Sequence, residues 1–121
     1  MIEIHDLGLS FTDSSGHLLS VLRDVNLNLP SKGFCFLLGK SGSGKTSLLH
    51  CLGGLLPPTT GTISMDGQEL NYRDSSSLLK YRKEKVAFVF QDYNLLSDFS
   101  VLDNLCIAGN LDIKEAESIL S

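Results

Sequence analysis

The feature that most constrains this chain is the segment Gly39–Thr46, whose sequence GKSGSGKT fits the pattern G-x-x-x-x-G-K-[ST] at every position. The five residues before it, Phe34–Leu38, are all apolar and do not alternate with polar residues. The residues after it carry leucines at helical spacing, Leu48, Leu49 and Leu52. This order predicts a strand buried on both faces, a tight loop and then a helix, which indicates an α/β fold.

The spacing within this segment is typical of a loop that binds phosphate groups. Gly42 and Gly44 allow the backbone to turn inward, so that successive N–H groups converge on phosphate oxygens. The helix that begins near Lys45 adds its free N-terminal donors and the positive end of its dipole. We expect Lys45 to reach the β- and γ-phosphates, the Thr46 hydroxyl to coordinate Mg²⁺, and the Ser47 hydroxyl to lie toward the α-phosphate. The candidate nucleotide-binding residues are therefore Gly39, Lys40, Ser41, Gly42, Ser43, Gly44, Lys45, Thr46 and Ser47.

The rest of the pattern predicts further strands and helices around this loop. Alternating apolar residues predict strands over residues 2–11 and 21–29, and Thr62–Met65 with the following Asp66-Gly67 predicts a strand and a hairpin turn. Val86–Phe90 is a second wholly apolar run and predicts a second strand buried on both faces. Helical patterns cover Ser75–Lys85, Val101–Ala108 and Asp112–Leu120.

Composition narrows the classes of partner. Ten Lys and Arg residues against fourteen Asp and Glu residues give a net charge of −4, which removes a broad electrostatic case for binding nucleic acid or anionic membranes. No apolar run approaches the roughly 18 residues that a spanning helix needs, and the residues after Met1 alternate instead of forming a signal segment. We therefore expect a cytoplasmic chain. The three cysteines, Cys35, Cys51 and Cys106, fit no zinc or disulfide pattern and are expected to be small buried hydrophobes.

A second motif gives the chain a family resemblance. Val86–Leu96, with the sequence VAFVFQDYNLL, resembles the glutamine loop of the nucleotide-binding domain of ATP-binding-cassette (ABC) transporters. Ser100–Leu105 resembles the segment beyond that loop, and Gly61–Gly67 resembles the strand and turn between the two motifs. The resemblance covers essentially all 121 residues and is closest to lipoprotein-releasing and macrolide or antimicrobial-peptide exporters. It implies a P-loop NTPase core in which an antiparallel β subdomain packs on a partial parallel sheet.

The resemblance also implies roles for two residues outside the loop. Gln91 matches the family's glutamine, which meets Mg²⁺ and the attacking water, so the implied metal ligands are Thr46 and Gln91 and the implied cofactors are ATP and Mg²⁺. Phe11 lies 28 residues before Gly39, where the family usually places an aromatic ring that stacks on adenine. The alternation of the first strand equally predicts that Phe11 is a core residue.

Three motifs that the resemblance leads us to look for are absent from the 121 residues. There is no Leu-Ser-Gly-Gly-Gln signature, no apolar strand that ends in Asp-Glu, and no histidine after His50. We therefore expect the N-terminal half of an ABC ATPase, inactive alone, with the β subdomain and phosphate loop over residues 1–91. The glutamine loop and the start of a helical subdomain would cover residues 91–121.

For the whole protein, the resemblance implies an ATPase that couples ATP binding and hydrolysis to transmembrane transport, in the direction of export. The implied partners are a second nucleotide-binding domain and permease domains, contacted through the segment after Gln91, which would hold the protein at the inner face of the membrane. No nucleic-acid partner is expected.

Three other classes of function stay open on the sequence. They are a stand-alone ATP-binding or interaction module, a cassette-type ATPase of DNA repair or chromosomes, and a small-molecule kinase. Gln91 and its flanking residues favour the transporter ATPase, because neither a binding module nor a kinase needs a glutamine loop. The net charge of −4 weighs against the DNA-associated class.

Overall fold

A computed structural model describes all 121 residues, Met1–Ser121, as two compact units, Met1–Phe88 and Val89–Ser121. The first unit contains, in chain order, β1 (Ile2–Thr12), β2 (Leu18–Leu29), α1 (Lys45–Leu52), β3 (Thr60–Met65), β4 (Gln68–Glu69) and α2 (Ser75–Lys85). The second unit contains α3 (Val101–Gly109) and α4 (Ile113–Leu120). These bounds confirm the helices and the antiparallel strands that the sequence predicts, and with them the α/β class.

The sheet of the first unit has the strand order β2-β1-β3-β4, and every neighbouring pair is antiparallel. The register shifts between Ile4 and Leu7, where Asp6 adopts a left-handed conformation with φ 47°. Because such an irregularity inserts an extra residue into the period of two, Ile4 and Leu7 both face the core although they are three positions apart.

The core of the first unit lies between this sheet and α1. Ile4, Leu7, Leu9 and Ile63 from the strands are buried together with residues of α1, among them Cys51. The C-terminal carbonyl groups of α1 are held by side chains from later in the chain. The Tyr72 hydroxyl donates to the carbonyl oxygen of Cys51 at 2.5 Å, and the Tyr81 hydroxyl donates to that of Leu52 at 2.7 Å. These bonds satisfy the carbonyls that a helix end leaves open, and they anchor the helix that follows the glycine-rich loop.

The two predicted buried strands are not formed. Phe34–Leu38 and Val86–Phe90 belong to no sheet, and Phe34, Phe36 and Val89 are respectively 99%, 81% and 100% exposed. The prediction of a partial parallel sheet is therefore wrong for these residues. The physical reason is that a strand forms only where a second strand completes its hydrogen bonds, and neither segment pairs with any of the four strands of the sheet.

The second unit consists of an irregular segment with bends at residues 91–92, a turn at residues 97–98 and two helices that contact each other. Capping boxes start both helices: Ser100 pairs with Asp103 at α3, and Asp112 pairs with Glu115 at α4. Ala116 of α4 is fully buried. None of the helices in the chain has the length and apolar character needed to span a membrane.

Candidate nucleotide-binding site

The loop between Phe34–Leu38 and α1 has the backbone geometry that its glycines predict. Gly42 and Gly44 have φ values of +77° and +93°, a region that L side chains rarely adopt. A Cβ atom on Gly44 would lie 3.0 Å from the carbonyl oxygen of Val21 and from Cδ2 of Leu22. The end of the loop therefore packs directly on β2, and a side chain at Gly44 would push it away.

Lys45 holds the loop together from inside. Its Nζ donates to the carbonyl oxygens of Gly39 and Lys40, both at 2.7 Å, and to Oγ of Ser43 at 3.3 Å. The same Lys40 carbonyl accepts the backbone N–H of Ser43 at 3.2 Å. The ammonium group thus concentrates positive charge at the loop, and charge-assisted hydrogen bonds fix its position.

The start of α1 adds further donors. Gly44 is the N-cap residue and offers no side-chain cap, and the first helical bond runs from the N–H of Leu48 to the carbonyl of Gly44 at 2.9 Å. The backbone N–H groups of Lys45, Thr46 and Ser47 consequently have no acceptor within the helix. No acidic residue lies in the first turn. With the positive end of the helix dipole, these donors fit a chain of phosphate groups.

The hydroxyl groups of the loop are accessible. Thr46 and Ser41 are exposed, and Ser47 is half-buried. The chain contains no group of three or more His, Cys, Asp or Glu side chains that could hold a metal ion. The Thr46 hydroxyl would supply one oxygen ligand to a bound magnesium ion, and Mg²⁺ beside nucleotides usually keeps phosphate and water ligands as well.

Phe11 lies near the end of β1, opposite Leu19 of β2, and is 44% exposed. The alternative that it is a core residue is therefore wrong: Leu7 and Leu9 on the same strand are buried, and the core ends before Phe11. Its ring is available for stacking, and its contact with adenine stays a prediction.

Gln91 belongs to the second unit, where it is exposed in a bend directly after Phe90. Its neighbours Asp92 and Tyr93 are also exposed. The structure thus brings the loop residues 39–47 together within the first unit, while the role of Gln91 toward water and metal stays a prediction.

Several groups that support the site were missed by the sequence analysis. The carbonyls of Gly39 and Lys40 are acceptors that no side-chain pattern reveals. Tyr72 and Tyr81 anchor α1 from positions more than twenty residues away, and their spacing carried no signal.

Burial raises the pKa of the Cys51 thiol to about 11 and also raises the pKa of both tyrosines.

Comparison with known proteins places the chain in a family. The family model described as "ABC transporter" matches residues 22–121, so the chain belongs to the ABC transporter family. The lipoprotein-releasing system ATP-binding protein LolD of Buchnera aphidicola subsp. Schizaphis graminum is 40% identical over 99 residues, which are 82% of this chain. The methionine import ATP-binding protein MetN of Haemophilus ducreyi is 35% identical over 119 residues, which are 98% of this chain and 34% of that protein.

Solved structures agree with this membership. The dimeric structure of MJ0796, a bacterial ABC transporter cassette, matches 98% of this chain with a TM-score of 0.86 and 29% identity. A second structure of that cassette, in a post-hydrolysis state bound to ADP and Pi, matches with a TM-score of 0.85 and 28% identity. The chain spans 43% of the LolD relative and 53% of the MJ0796 chain, which is about half the length of these proteins.

Proposed function

We propose that this chain binds ATP together with Mg²⁺ through residues 39–47, as the nucleotide-binding portion of an ABC transporter ATPase. The observation that carries the proposal is the position of Lys45, whose Nζ bonds two loop carbonyls at 2.7 Å beside left-handed Gly42 and Gly44. A phosphate group that enters this loop would replace those carbonyls as the acceptor for the Lys45 ammonium group. It would also accept hydrogen bonds from the free N–H groups of α1. Thr46 would hold Mg²⁺, which would supply positive charge beside the phosphates.

Two further residues have proposed roles toward the nucleotide. Phe11 presents an exposed ring near the end of β1 and would stack on the adenine base, a contact worth roughly 1–3 kcal/mol. Gln91 would orient the water and the metal when the nucleotide is bound; its support is its match to the family's glutamine loop and its exposed position in the second unit.

For the whole protein we propose coupling of ATP hydrolysis to export. The lipoprotein-releasing relative, 40% identical over 99 residues, supports this direction by the process in its name, while the methionine-import relative, 35% identical over 119 residues, belongs to the opposite direction. The proposed partners are a second nucleotide-binding domain, in line with the dimeric cassette structure, and permease domains that contact the segment after Gln91. Such an assembly would hold the protein at the cytoplasmic face of a membrane.

The binding proposal is tested by calorimetric titration of the 121-residue chain with Mg-ATP. Lys45→Ala should abolish the binding heat, because it removes the charge that holds the phosphates. The matched control is Lys32→Ala, which changes an exposed lysine outside residues 39–47 and should retain the binding heat. Equal binding by the wild-type chain and Lys45→Ala would refute the assignment of the site.

The same chain should release no phosphate above background in excess Mg²⁺. It contains no signature motif, no Asp-Glu strand and no later histidine, and phosphoryl transfer depends on groups that position the water and stabilise charge. A steady release rate that disappears in Lys45→Ala would contradict this expectation and reveal a general base that the sequence does not indicate.

A further inference from the structure

A cavity of about 170 Å³ lies in the first unit, between the β3–β4 hairpin and α2. Two short stretches line it, residues 65–71 and residues 77–85, and none of residues 39–47 does. A cavity of about 150 Å³ holds a molecule as large as benzene, whereas sites for drug-sized ligands and cofactors occupy roughly 300–1,000 Å³. The cavity is therefore separate from the proposed nucleotide site and has room for a small organic molecule.

The inner part of this cavity is apolar and is fixed to the rest of the unit. Leu70 is buried, and Met65, Leu78 and Tyr81 are half-buried. The N–H of Leu70 donates to a carbonyl of β3 at 2.8 Å, which holds the hairpin side. On the α2 side, the Tyr81 hydroxyl donates to the carbonyl of Leu52 at 2.7 Å. Because both sides are anchored, the cavity is formed before a ligand enters.

Charged side chains of both signs surround the opening of the cavity. Two lysines and two glutamates line it and are exposed, namely Lys80, Lys85, Glu69 and Glu84. None of these four forms an ion pair, and a third carboxylate, Asp66, pairs with the ammonium group of Met1 at 2.6 Å. Lys80 and Glu84 lie one turn apart on α2, in the order that gives the weaker pair on a helix. The opening thus offers an ammonium group and a carboxylate side by side.

We propose that this cavity binds a free α-amino acid with an apolar side chain. The ligand's carboxylate would accept hydrogen bonds from the Lys80 ammonium group, and its own ammonium group would donate to the Glu84 carboxylate. Glu69, on the hairpin side, would supply a second carboxylate. The ligand's side chain would leave water for the apolar surface of Leu70 and Leu78.

The balance of charge argues against three other kinds of small molecule. A dianion such as inorganic phosphate would meet Lys80 and Lys85 but would also lie beside two glutamates. A diamine would meet both glutamates and would be repelled by the two lysines. An uncharged apolar molecule would leave every charge at the opening without a partner. A molecule with one charge of each sign is the ligand that the lining favours.

The test is a titration of the ¹⁵N-labelled 121-residue chain with L-leucine, followed at the amides of Leu70, Leu78 and Tyr81. These amides should shift and saturate with a dissociation constant of about 0.1–1 mM. L-Leucinamide lacks the carboxylate and N-acetyl-L-leucine lacks the ammonium group, so each should bind at least about tenfold more weakly. Glycine keeps both charges and lacks the apolar side chain, so it should also bind at least about tenfold more weakly.

Variants of the two charged residues on α2 change which compounds the cavity distinguishes. Lys80→Met should weaken L-leucine about five- to tenfold and leave L-leucinamide unchanged, because only the first has a carboxylate to lose. Glu84→Gln should weaken L-leucine and L-leucinamide and leave N-acetyl-L-leucine unchanged. A variant that fails to fold would weaken all three compounds. The matched controls, Lys83→Met and Glu117→Gln, change exposed residues outside the cavity and should bind L-leucine as the wild-type chain does.

The outcome is independent of the proposed nucleotide site. Lys45→Ala should lose ATP and keep L-leucine, whereas Lys80→Met should lose L-leucine affinity and keep ATP. Two results would overturn the proposal. The first is the absence of saturable shifts at Leu70, Leu78 and Tyr81 below about 10 mM L-leucine. The second is equal affinity for L-leucine, L-leucinamide and N-acetyl-L-leucine, which would show that the charges at the opening do not select the ligand.

Discussion

The antiparallel sheet and two apolar segments outside it, Phe34–Leu38 and Val86–Phe90, contain the same kinds of residue and differ in whether a strand lies beside them. Ile4, Leu7 and Ile63 are fully buried in the sheet, whereas Phe34, Phe36 and Val89 lie almost entirely in solvent. Each strand of the sheet has a neighbouring strand within the chain, and the two apolar segments have no strand beside them. Apolar composition therefore does not make a strand until a second strand completes its hydrogen bonds.

The glycine-rich loop of residues 39–46 follows one of these two segments, yet its own geometry is complete. Its bonds are local, because Lys45 reaches only Gly39, Lys40 and Ser43, and Gly44 packs on β2. The loop thus takes its shape from the sheet and α1, and not from the exposed segment before it. This independence is the reason that we expect nucleotide binding by the chain as it stands.

The largest difference in stability is expected between two variants, one in the sheet and one in an exposed apolar segment, in each of which a large apolar side chain is replaced by alanine. Ile63→Ala should lower the free energy of unfolding by about 2–5 kcal/mol, because it leaves a cavity in a fully buried position. Phe36→Ala removes a larger side chain from an 81% exposed position and should change the free energy by less than about 0.5 kcal/mol. Urea denaturation of both variants measures the difference. A loss above about 2 kcal/mol for Phe36→Ala would show that the segment is packed in solution.

The next effect concerns the stability of the chain at alkaline pH, where the buried Cys51 thiol ionises. Burial raises the pKa of Cys51 from 9.0 to about 11, so its contribution to stability is present below pH 9 and is lost as the pH rises toward 11. A shift of two pKa units corresponds to a loss of at most about 2–3 kcal/mol in the free energy of unfolding. The raised pKa of Tyr72 and Tyr81 also lowers stability as the pH rises. Denaturation midpoints measured from pH 8 to pH 11 should fall, and less steeply in Cys51→Ala.

A thiol reagent gives an independent check on the same contrast. Cys35 lies in the exposed segment and Cys51 in the core, so at pH 8 the first should react quickly and the second only on unfolding. Equal rates for the two thiols in the native chain would contradict the burial of α1 against the sheet.

The smallest change in stability should accompany a change in association. Exposed apolar residues and an open backbone edge at Phe34–Leu38 favour self-association of the chain. Replacing Phe34 and Phe36 by serine should reduce the weight-average mass in a light-scattering concentration series, with less than about 0.5 kcal/mol change in unfolding free energy per residue. A wild-type chain that is monomeric at every concentration and melts cooperatively above about 60 °C would contradict this account of the segments.

The sequence predicted the local features of the molecule well. The glycine spacing predicted the loop, the leucine spacing predicted α1, and the alternation of apolar residues predicted β1, β2 and β3. It could not reveal that Phe34–Leu38 and Val86–Phe90 stay outside any sheet, because their apolar runs report a preference for burial and not the presence of a neighbour. Nor could it indicate the bonds of Tyr72 and Tyr81, whose partners are backbone groups and leave no pattern.

The central claim is that the loop between Phe34–Leu38 and α1 binds the phosphates of ATP. Its most direct test is a titration of the ¹⁵N-labelled chain with Mg-ATP in which the amide chemical shifts are recorded. The account predicts that the largest shifts fall on residues 39–47 and saturate with a dissociation constant between tens of micromolar and about 1 mM, or roughly −6 to −4 kcal/mol. It also predicts that Lys45→Ala removes these shifts, while Lys32→Ala, outside the loop, does not. Shifts that persist in Lys45→Ala, or that centre on a distant turn such as Asp13–Gly16, would contradict it.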